Sequence, residues 1–424
     1  MTDLDFRDFL HPGHGRRPAR WVDAATAVAA IPDRARIFLA GTAATPRHLC
    51  VALAAERHRW QRLDLVMPSM MQRPAPFEHP GEPFHYVTLQ SSAAFKHLWS
   101  TGTVHVVPFR YSDGAYLFRP GAVLACDVAL VTVSRVIDGK VSLGLSCGHA
   151  ADVVRSAPLV IAQVSESMPY TFGASELAVD EIDFLVEHDE AVFEARPAGT
   201  ADETGSRIAN LAADLVGDGS TIQFGLGALP DAILARLATR RGLTVHSRMI
   251  SDACVELHRS GAVEGPMVTA EVVSTPTITA WIDRNPAVVM APAAYSHGAA
   301  ALARQPRFVS IQSTLEVALD GSCNSEVTGG DRSTGPGGAP DFAFAATGNL
   351  GGRGIMALRS TAARGTISRI VRAIEPPAVT TLPAYVADAV VTEHGVAELR
   401  GLDLADRADA LRAIADPAHR HALR

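Results

Sequence analysis

The run Cys126–Ser134, CDVALVTVS, is apolar or β-branched almost throughout, with no polar alternation. A strand with one wet face would alternate, so this one reads as covered on both faces, as in a parallel sheet sandwiched by helices. Its surroundings agree. Asp138-Gly139 just beyond it is a hairpin turn signal. A helix is expected near His149–Ser156, leading into a strand at Pro158–Val164. Upstream, Arg36–Ala40 reads as a buried strand that ends at Gly41-Thr42, and an amphipathic helix follows Pro46 over residues 45–57. Leu63–Met67 and Val104–Phe109 complete the strands of this half. Between them, residues 68–100 are rich in Pro, Phe and Met and read as a long ordered loop with a short helix near Ala93–Trp99. Strands alternating with helices point to a mostly parallel sheet.

Residues 186–202 are acidic and broken by Pro and Gly, and are taken as a linker. Beyond it the same grammar restarts. Ile208, Leu211, Ala212, Leu215 and Val216 recur at helical spacing. Strands are expected at Ser220–Phe224, Leu243–His246, Met267–Val273, Ala287–Met290, Phe308–Gln312, Ile355–Leu358, Ala378–Thr381 and Ala389–Thr392. The Gly/Ser-rich stretch 321–341 lies between apolar, strand-like segments, which favours an ordered ligand loop over a disordered linker. The fold class expected is α/β, with two open, mostly parallel domains at residues 1–200 and 201–424.

Composition removes other classes. Hydrophobic residues are 47% of 424 and the net charge is −7, with no Lys/Arg run long enough to suggest a basic patch, so nucleic acid is not an expected partner. No apolar run approaches the ~20 residues of a membrane span, and the first residues lack the apolar core of a secretory signal. Cys50, Cys126, Cys147, Cys254 and Cys323 are scattered without metal-ligand spacing. That pattern fits free thiols in a cytoplasmic protein and gives no metal site.

Chemistry is expected at the carboxyl ends of the strands in the second half. The Ser220–Phe224 strand breaks at Gly225-Leu226-Gly227-Ala228-Leu229-Pro230, and Asp231 and Ala232 open a helix. Such a turn lets backbone N–H groups approach a ligand at a helix N-terminus, although a lone GxG is most often only a turn. The next strand brings Ser247-Arg248-Met249 to the same end of the sheet.

Several stretches together resemble the acetyl-CoA hydrolase/transferase family: CDVALVTVSRVIDGKVSLG, APLVIAQVSESMPYTFG followed by EID, DGSTIQFGLGALPDAIL, VHSRMISD, GPGGAPDFAFAATGNLGGRGIMAL, GTISRIV and VVTEHGVAELRGLDLADRADALRAIADP. They span roughly residues 30–420, in order. The resemblance implies two α/β domains with the active site in the cleft between them, a CoA thioester ligand with a small acceptor, and a homodimer. It also implies that residue 248 is where the family carries the glutamate that attacks the acyl-CoA carbonyl. That carboxylate forms an acyl-glutamyl anhydride and then a glutamyl-CoA thioester. In His246-Ser247-Arg248-Met249-Ile250-Ser251-Asp252 the position is arginine, whose guanidinium stays protonated and forms no anhydride.

Other departures from the family pattern are His297 for an Asn, Ala339 for a Gln, Val272-Val273-Ser274-Thr275 for a loop ending Gly-Thr, and a missing Arg after the VTT strand. Arg353 stands where the family usually has Lys. The catalytic candidates are therefore Arg248, His297 and Glu271. Arg248 would face a carboxylate, enolate or thioester oxygen, or else pair with an acid in a site that has lost activity. Glu271 would replace the missing carboxylate or pair with Arg248, and His297 would act as an acid–base or as a plain hydrogen-bonding residue. Cys147 and His149 form a possible nucleophile pair, while Cys254, His246, Glu393 and His394 read as packing or turn residues. The backbone of Gly225, Gly227 and Ala228 is expected beside the thioester. Gly335, Gly337, Gly338, Gly351, Gly352 and Arg353 are expected to hold CoA phosphates or pantetheine amides.

The activity expected is that of an enzyme acting on an acyl-CoA, or a pantetheine-type thioester, without a glutamyl-CoA intermediate. Direct acyl transfer, hydrolysis and retasked thioester chemistry all fit. A conventional acyl-CoA:carboxylate CoA-transferase and a non-catalytic CoA-binding homologue are the alternatives.

Overall fold

The computed structural model describes residues 4–12, 18–90, 92, 94, 95, 98, 101–196, 198–329, 331, 332 and 334–423. They form two compact units, one of Met1–Arg196 with Pro266–Ser296, the other of Pro197–Gly265 with His297–Arg424.

The first unit is built on an eight-stranded sheet. Its order is Arg20–Trp21, Phe184–Glu187, Leu159–Val164, Val128–Val133, Ala35–Leu39, Leu63–Met67, Phe84–Thr88 and Val104–Val106, and every pairing is parallel. The apolar run that anchors this half is central, and Val128–Val133 is buried at every position. The turn that follows has Asp138 at φ 49° and Gly139 at φ 74°, and Ile137 bridges Lys140. Two successive positive φ values are what a tight hairpin with right-handed strand twist requires.

Two expectations need correction here. Phe84–Thr88 lies in the segment read as loop, yet it is a strand aligned with Leu63–Met67 from Leu63↔Phe84 to Met67↔Thr88. Its buried residues Phe84, Tyr86 and Thr88 alternate with His85 and Val87, a short period-two signal hidden among prolines. The helix near Ala93–Trp99 falls largely outside the described residues.

The second correction concerns the domain boundary. Residues 266–296 belong to the first unit rather than to a 201–424 domain. Met267–Val272 pairs with Val288–Met290, which pairs with Phe172–Gly173, all in parallel. The Cys147 and Gly148 N–H groups donate to Ala270 O, Val272 N–H donates to Leu145 O, and Ala293 N–H donates to Gly148 O. Backbone pairing, which sequence spacing does not reveal, decides where this segment goes.

In the second unit the sheet order is Gly395–Glu398, Ala389–Thr392, Arg353–Ala357, Phe308–Ser313, Thr221–Phe224 and Thr244–Ile250. The first pairing is antiparallel and the other four are parallel. The Gly/Ser-rich stretch is structured, with Cys323–Asn324, Val327–Thr328 and Asp331–Arg332 as short strands ahead of the helix Ala339–Thr347. The expected strand at Ala378–Thr381 is absent; of its surroundings only Leu382 makes a bridge, to Cys323. Pro376, Pro377 and Pro383 flank it, and proline has no N–H to offer a ladder. Among the described residues no helix is long and apolar enough to cross a membrane, and no cluster of His, Cys, Asp and Glu could hold a metal ion.

Candidate active site

The carboxyl edge of the second unit's sheet brings together the Gly225–Ala228 turn and Arg248. The Thr221–Phe224 strand ends at Gly225, whose N–H still donates to Ile311 O at 3.1 Å. Gly227 has φ 120°, a value an L side chain resists, and caps the helix Ala228–Arg236. Its Cβ position is open, so nothing crowds this turn from that side.

Register places Arg248 beside it. Thr221 pairs with Thr244 and Ile222 with Val245. Ser247 Oγ donates to Phe224 O at 3.2 Å, which carries the alignment to the strand end. Continuing it sets Arg248, half-buried, level with Gly225. Ser251 Oγ then donates to Asp231 Oδ1 at 2.9 Å and ties this strand to the helix after the glycine turn. Burial pushes the Asp231 carboxyl upward, although the Ser251 bond opposes that.

The same face carries a polar set that pattern reading missed. Gln223 aligns with Ser310 across the parallel pair, and Gln312 lies two residues further along the same face. Gln223 Oε1 accepts from Ser310 Oγ at 2.7 Å and from Gln312 Nε2 at 2.6 Å, and Gln312 Nε2 also donates to Ser310 Oγ at 2.9 Å. All are buried. The signal was a pair of polar residues at period two inside apolar strands, TIQF and FVSIQS, where burial demands a hydrogen-bond partner. His246 is next on this face and packs edge-on against Phe308, ring centroids 6.3 Å apart. It is a core residue, as the sequence suggested.

His297 and Gly338 meet. His297 is 1% exposed and its ring lies 4.4 Å from that of Phe342. A Cβ on Gly338 would sit 2.4 Å from His297 Nε2. The glycine before the Ala339–Thr347 helix is therefore there to admit an imidazole. Gly337 has φ 55° and shapes the same turn, and Gly335 is buried beside it.

Gly351, Gly352 and Arg353 lie elsewhere. Arg353 opens its strand and aligns with Val309, near the start of the neighbouring strand. In a parallel sheet that is the amino edge, opposite the Gly225 turn. A Cβ on Gly352 would meet Ala346 O at 2.5 Å and Phe308 O at 2.7 Å, so this residue is a packing glycine. Arg353 pairs with Glu398 and, with Arg307, Asp388 and Arg400, lines a cavity of about 400 Å³ at that edge. Arg400 closes a bidentate pair with Asp388, both bonds 2.7 Å. Crossover topology separates two glycine clusters that sit close in sequence.

Glu271, in the first unit, is 4% exposed and accepts from Tyr111 Oη at 2.8 Å. Gly148 lies beside this pair, and a Cβ there would be 2.1 Å from Tyr111 Oη. His149 does not face Cys147; its Nε2 is 2.9 Å from Tyr111 O and its ring lies against Tyr111. Burial pushes the Cys147 thiol far above its ordinary value, which disfavours a thiolate. Cys254 is likewise buried and pushed up to about 12 by burial. Glu393 accepts from Ser360 N–H and Ser360 Oγ and so fastens a turn.

Comparison with known proteins agrees with this architecture. A family model for the acetyl-CoA hydrolase/transferase N-terminal domain matches residues 18–195, and that for the C-terminal domain matches residues 275–424. The chain is 32% identical to 4-hydroxybutyrate coenzyme A transferase of Clostridium kluyveri, over 95% of this chain and 96% of the relative. It is 31% identical to succinyl-CoA:acetate/propanoyl-CoA:succinate CoA transferase of Fasciola hepatica, over 93% and 84%. Among solved structures, RipA from Yersinia pestis aligns with TM-score 0.87 at 27% identity, covering 99% of this chain and 98% of that one. A 4-hydroxybutyrate CoA-transferase from Porphyromonas gingivalis aligns with TM-score 0.80 at 29% identity, covering 95% and 96%. On these grounds the chain belongs to the acetyl-CoA hydrolase/transferase family.

Proposed function

We propose that this protein processes an acyl-CoA at the carboxyl edge of the second unit's sheet, by a route that forms no glutamyl-CoA. The observation that carries the reading is Arg248 set level with Gly225, where the strand ends and a helix N-terminus begins. The bare N–H groups of the Gly225–Ala228 turn and the Arg248 cation supply fixed positive potential for a thioester oxygen that gains charge during acyl transfer. Arg248 acts on the reacting carbonyl electrostatically; the acceptor itself attacks that carbon, the C–S bond breaks, and CoA leaves as its thiolate, which takes up a proton from water.

The remaining candidates take supporting roles in this reading. His297 holds the Gly335–Gly338 turn in place through Phe342 and Gly338. Glu271 is a hydrogen-bonded core carboxylate. CoA phosphates are assigned not to Gly351–Arg353 but to a groove of about 640 Å³ lined by Glu316, Val327, Ile367, Arg369 and Arg372. It is built from segments that leave the carboxyl ends of the Phe308–Ser313 and Arg353–Ala357 strands. Guanidinium groups match phosphate oxygens in charge and geometry.

Incubation with a panel of acyl-CoAs, with products and protein read by mass spectrometry, tests the proposal. Turnover is expected without a borohydride-trappable adduct on the peptide containing Arg248. A covalent CoA adduct on any residue would show that a nucleophile exists and refute the direct route. Thermal shift with CoA tests the groove separately: Arg372→Glu should diminish it, and an undiminished shift would move the phosphates elsewhere.

A further inference from the structure

The amino edge of the second unit's sheet carries a charged cavity that the acyl-CoA reading leaves unused. It holds about 400 Å³ and is lined by three arginines, Arg307, Arg353 and Arg400, and two acids, Asp388 and Glu398. The arginines meet around one short piece of chain, Gly351–Arg353. A Cβ on Gly351 would fall 3.4 Å from Arg307 Cγ. Arg400 Nη2 donates to Gly352 O at 2.9 Å. Arg353 follows directly and opens its strand.

Arg307 is held there at a conformational cost. Its φ is 43°, in the left-handed region that side chains other than glycine's avoid. Asn349 fixes the turn from both sides. Its Nδ2 donates to Gln305 O at 2.7 Å, and its Oδ1 accepts from Phe308 N–H at 3.1 Å. The Arg307 side chain then passes Gly219 as well as Gly351, since a Cβ on Gly219 would sit 3.5 Å from Arg307 Nη1. That nitrogen donates to Asp218 O at 2.8 Å. Among the described residues Arg307 pairs with no acid, so the rest of its fork of N–H donors is uncommitted.

The other two arginines differ in how firmly they are engaged. Asp388 is 5% exposed, accepts from Gly354 N–H at 2.8 Å, and takes Nε and Nη2 of Arg400. That pair is fixed, and it leaves Arg400 Nη1 to spare. Glu398, the partner of Arg353, has a side chain 59% exposed and lies on the antiparallel edge strand. An exposed ion pair is held weakly, so Glu398 can turn out to water and release Arg353 to a better partner.

Charge decides which partner. Three guanidiniums against two carboxylates leave one positive charge. Leu215 ends the helix Glu203–Asp214 and lines the cavity, which brings about half a negative charge to the wall. With Glu398 turned away, the surplus rises to about one and a half, close to the charge of a phosphate monoester at neutral pH. Shape agrees: a planar carboxylate meets forks in one plane, whereas a tetrahedral phosphate offers three oxygens in three directions. Among the described residues no aromatic ring lines the cavity, so a nucleobase has no ring to stack on.

We propose that this cavity binds the phosphate group of a small, non-nucleotide phosphate ester. The length of the sheet separates it from the Gly225 turn, so the ligand is an effector and not a reactant. The proposal stands on the cavity alone, whether or not the acyl-CoA reading holds. The full chain, without CoA, is titrated by calorimetry with glycerol 3-phosphate, inorganic phosphate, AMP and succinate. Saturable binding of glycerol 3-phosphate and of inorganic phosphate is expected, tighter than succinate and no weaker than AMP. Arg307→Gln should weaken it roughly tenfold or more with the melting temperature unchanged, because the side chain is exposed and bonds to the phosphate are charge-assisted. Arg307→Lys should keep part of it. Glu398→Gln should strengthen it severalfold by freeing Arg353. Arg372→Glu, in the groove assigned to CoA, should leave it unchanged, and Arg307→Gln should leave the CoA thermal shift unchanged. Absence of saturable phosphate binding, succinate as tight or AMP tighter, undiminished affinity in Arg307→Gln, or no gain in Glu398→Gln would each overturn the proposal. So would loss of phosphate binding in Arg372→Glu or loss of the CoA shift in Arg307→Gln, since either would merge this cavity with the CoA site.

Discussion

Arg248 carries the largest single expectation at residue scale. If its cation stabilises charge at the thioester, Arg248→Ala should lower kcat/KM for the true substrate by about 2–4 kcal/mol of transition-state stabilisation, roughly 30- to 1000-fold. Arg248→Lys should recover part of that, since it keeps the charge and loses the planar fork. Steady-state kinetics on one acyl-CoA settles it; unchanged turnover in the alanine variant would remove Arg248 from the mechanism. Gly338 gives a second expectation. Gly338→Ala places a methyl 2.4 Å from His297 Nε2. Forced overpacking of this kind costs about 1–3 kcal/mol. Denaturant unfolding should show that loss, and His297→Ala in the same chain should restore most of it. A Gly338→Ala variant as stable as the wild type would mean that the imidazole moves aside freely.

At the scale of elements, one short helix makes stability depend on pH. Asp152 lies in the first turn of Ala150–Ser156, and burial pushes its carboxyl up to about 7, against the opposing pull of Arg155 and Arg119. Its ordinary value is 3.8. Between these values the unfolded chain has lost the proton while the folded chain still holds it. Stability is therefore undiminished below about pH 4, falls as pH rises toward 7, and stays reduced above. Asp152→Asn escapes that loss and should be more stable than the wild type at pH 8, by on the order of 1–3 kcal/mol, with little difference at pH 4. Melts at the two pH values check it, and an equal difference at both would exclude titration as the cause. Elements also show how far the sequence was legible. Leu63–Met67 and Ala389–Thr392 were placed to the residue, because apolar runs bounded by turn residues leave little choice. The glycine turn sits at a strand end as the sequence suggested, whereas the strand expected to stop at His246 runs on to Ile250 and carries Arg248 within it. The Gln223–Ser310–Gln312 set was not legible, because its meaning comes from the alignment of two strands far apart in sequence. Nor was the sheet edge of Gly351–Arg353, since helix Ala339–Thr347 carries the chain from one edge to the other.

At the scale of the whole molecule, the interleaving of the chain has a consequence for how it can be divided. Composition suggests a cut at residue 200, yet the first unit then lacks Pro266–Ser296. The isolated piece 1–200 would expose Phe172–Gly173, which loses its partner Val288–Met290. It would also leave Leu145 O and Gly148 O without the N–H groups of Val272 and Ala293, and the Cys147 and Gly148 N–H groups without Ala270 O. Tyr111 would lose Glu271, its acceptor at 2.8 Å. Buried backbone groups left without partners cost about 1–3 kcal/mol each, and several together are comparable with the 5–15 kcal/mol that holds a typical domain. The fragment 1–200 is therefore expected to unfold without cooperativity or to aggregate when expressed alone. Co-expression with 201–424 should return it to a cooperative transition, because the missing strands arrive with the second piece. A fragment 1–200 that melts cooperatively by calorimetry on its own would show that residues 266–296 are dispensable to the first unit, and that its eight-stranded sheet is sufficient to fold.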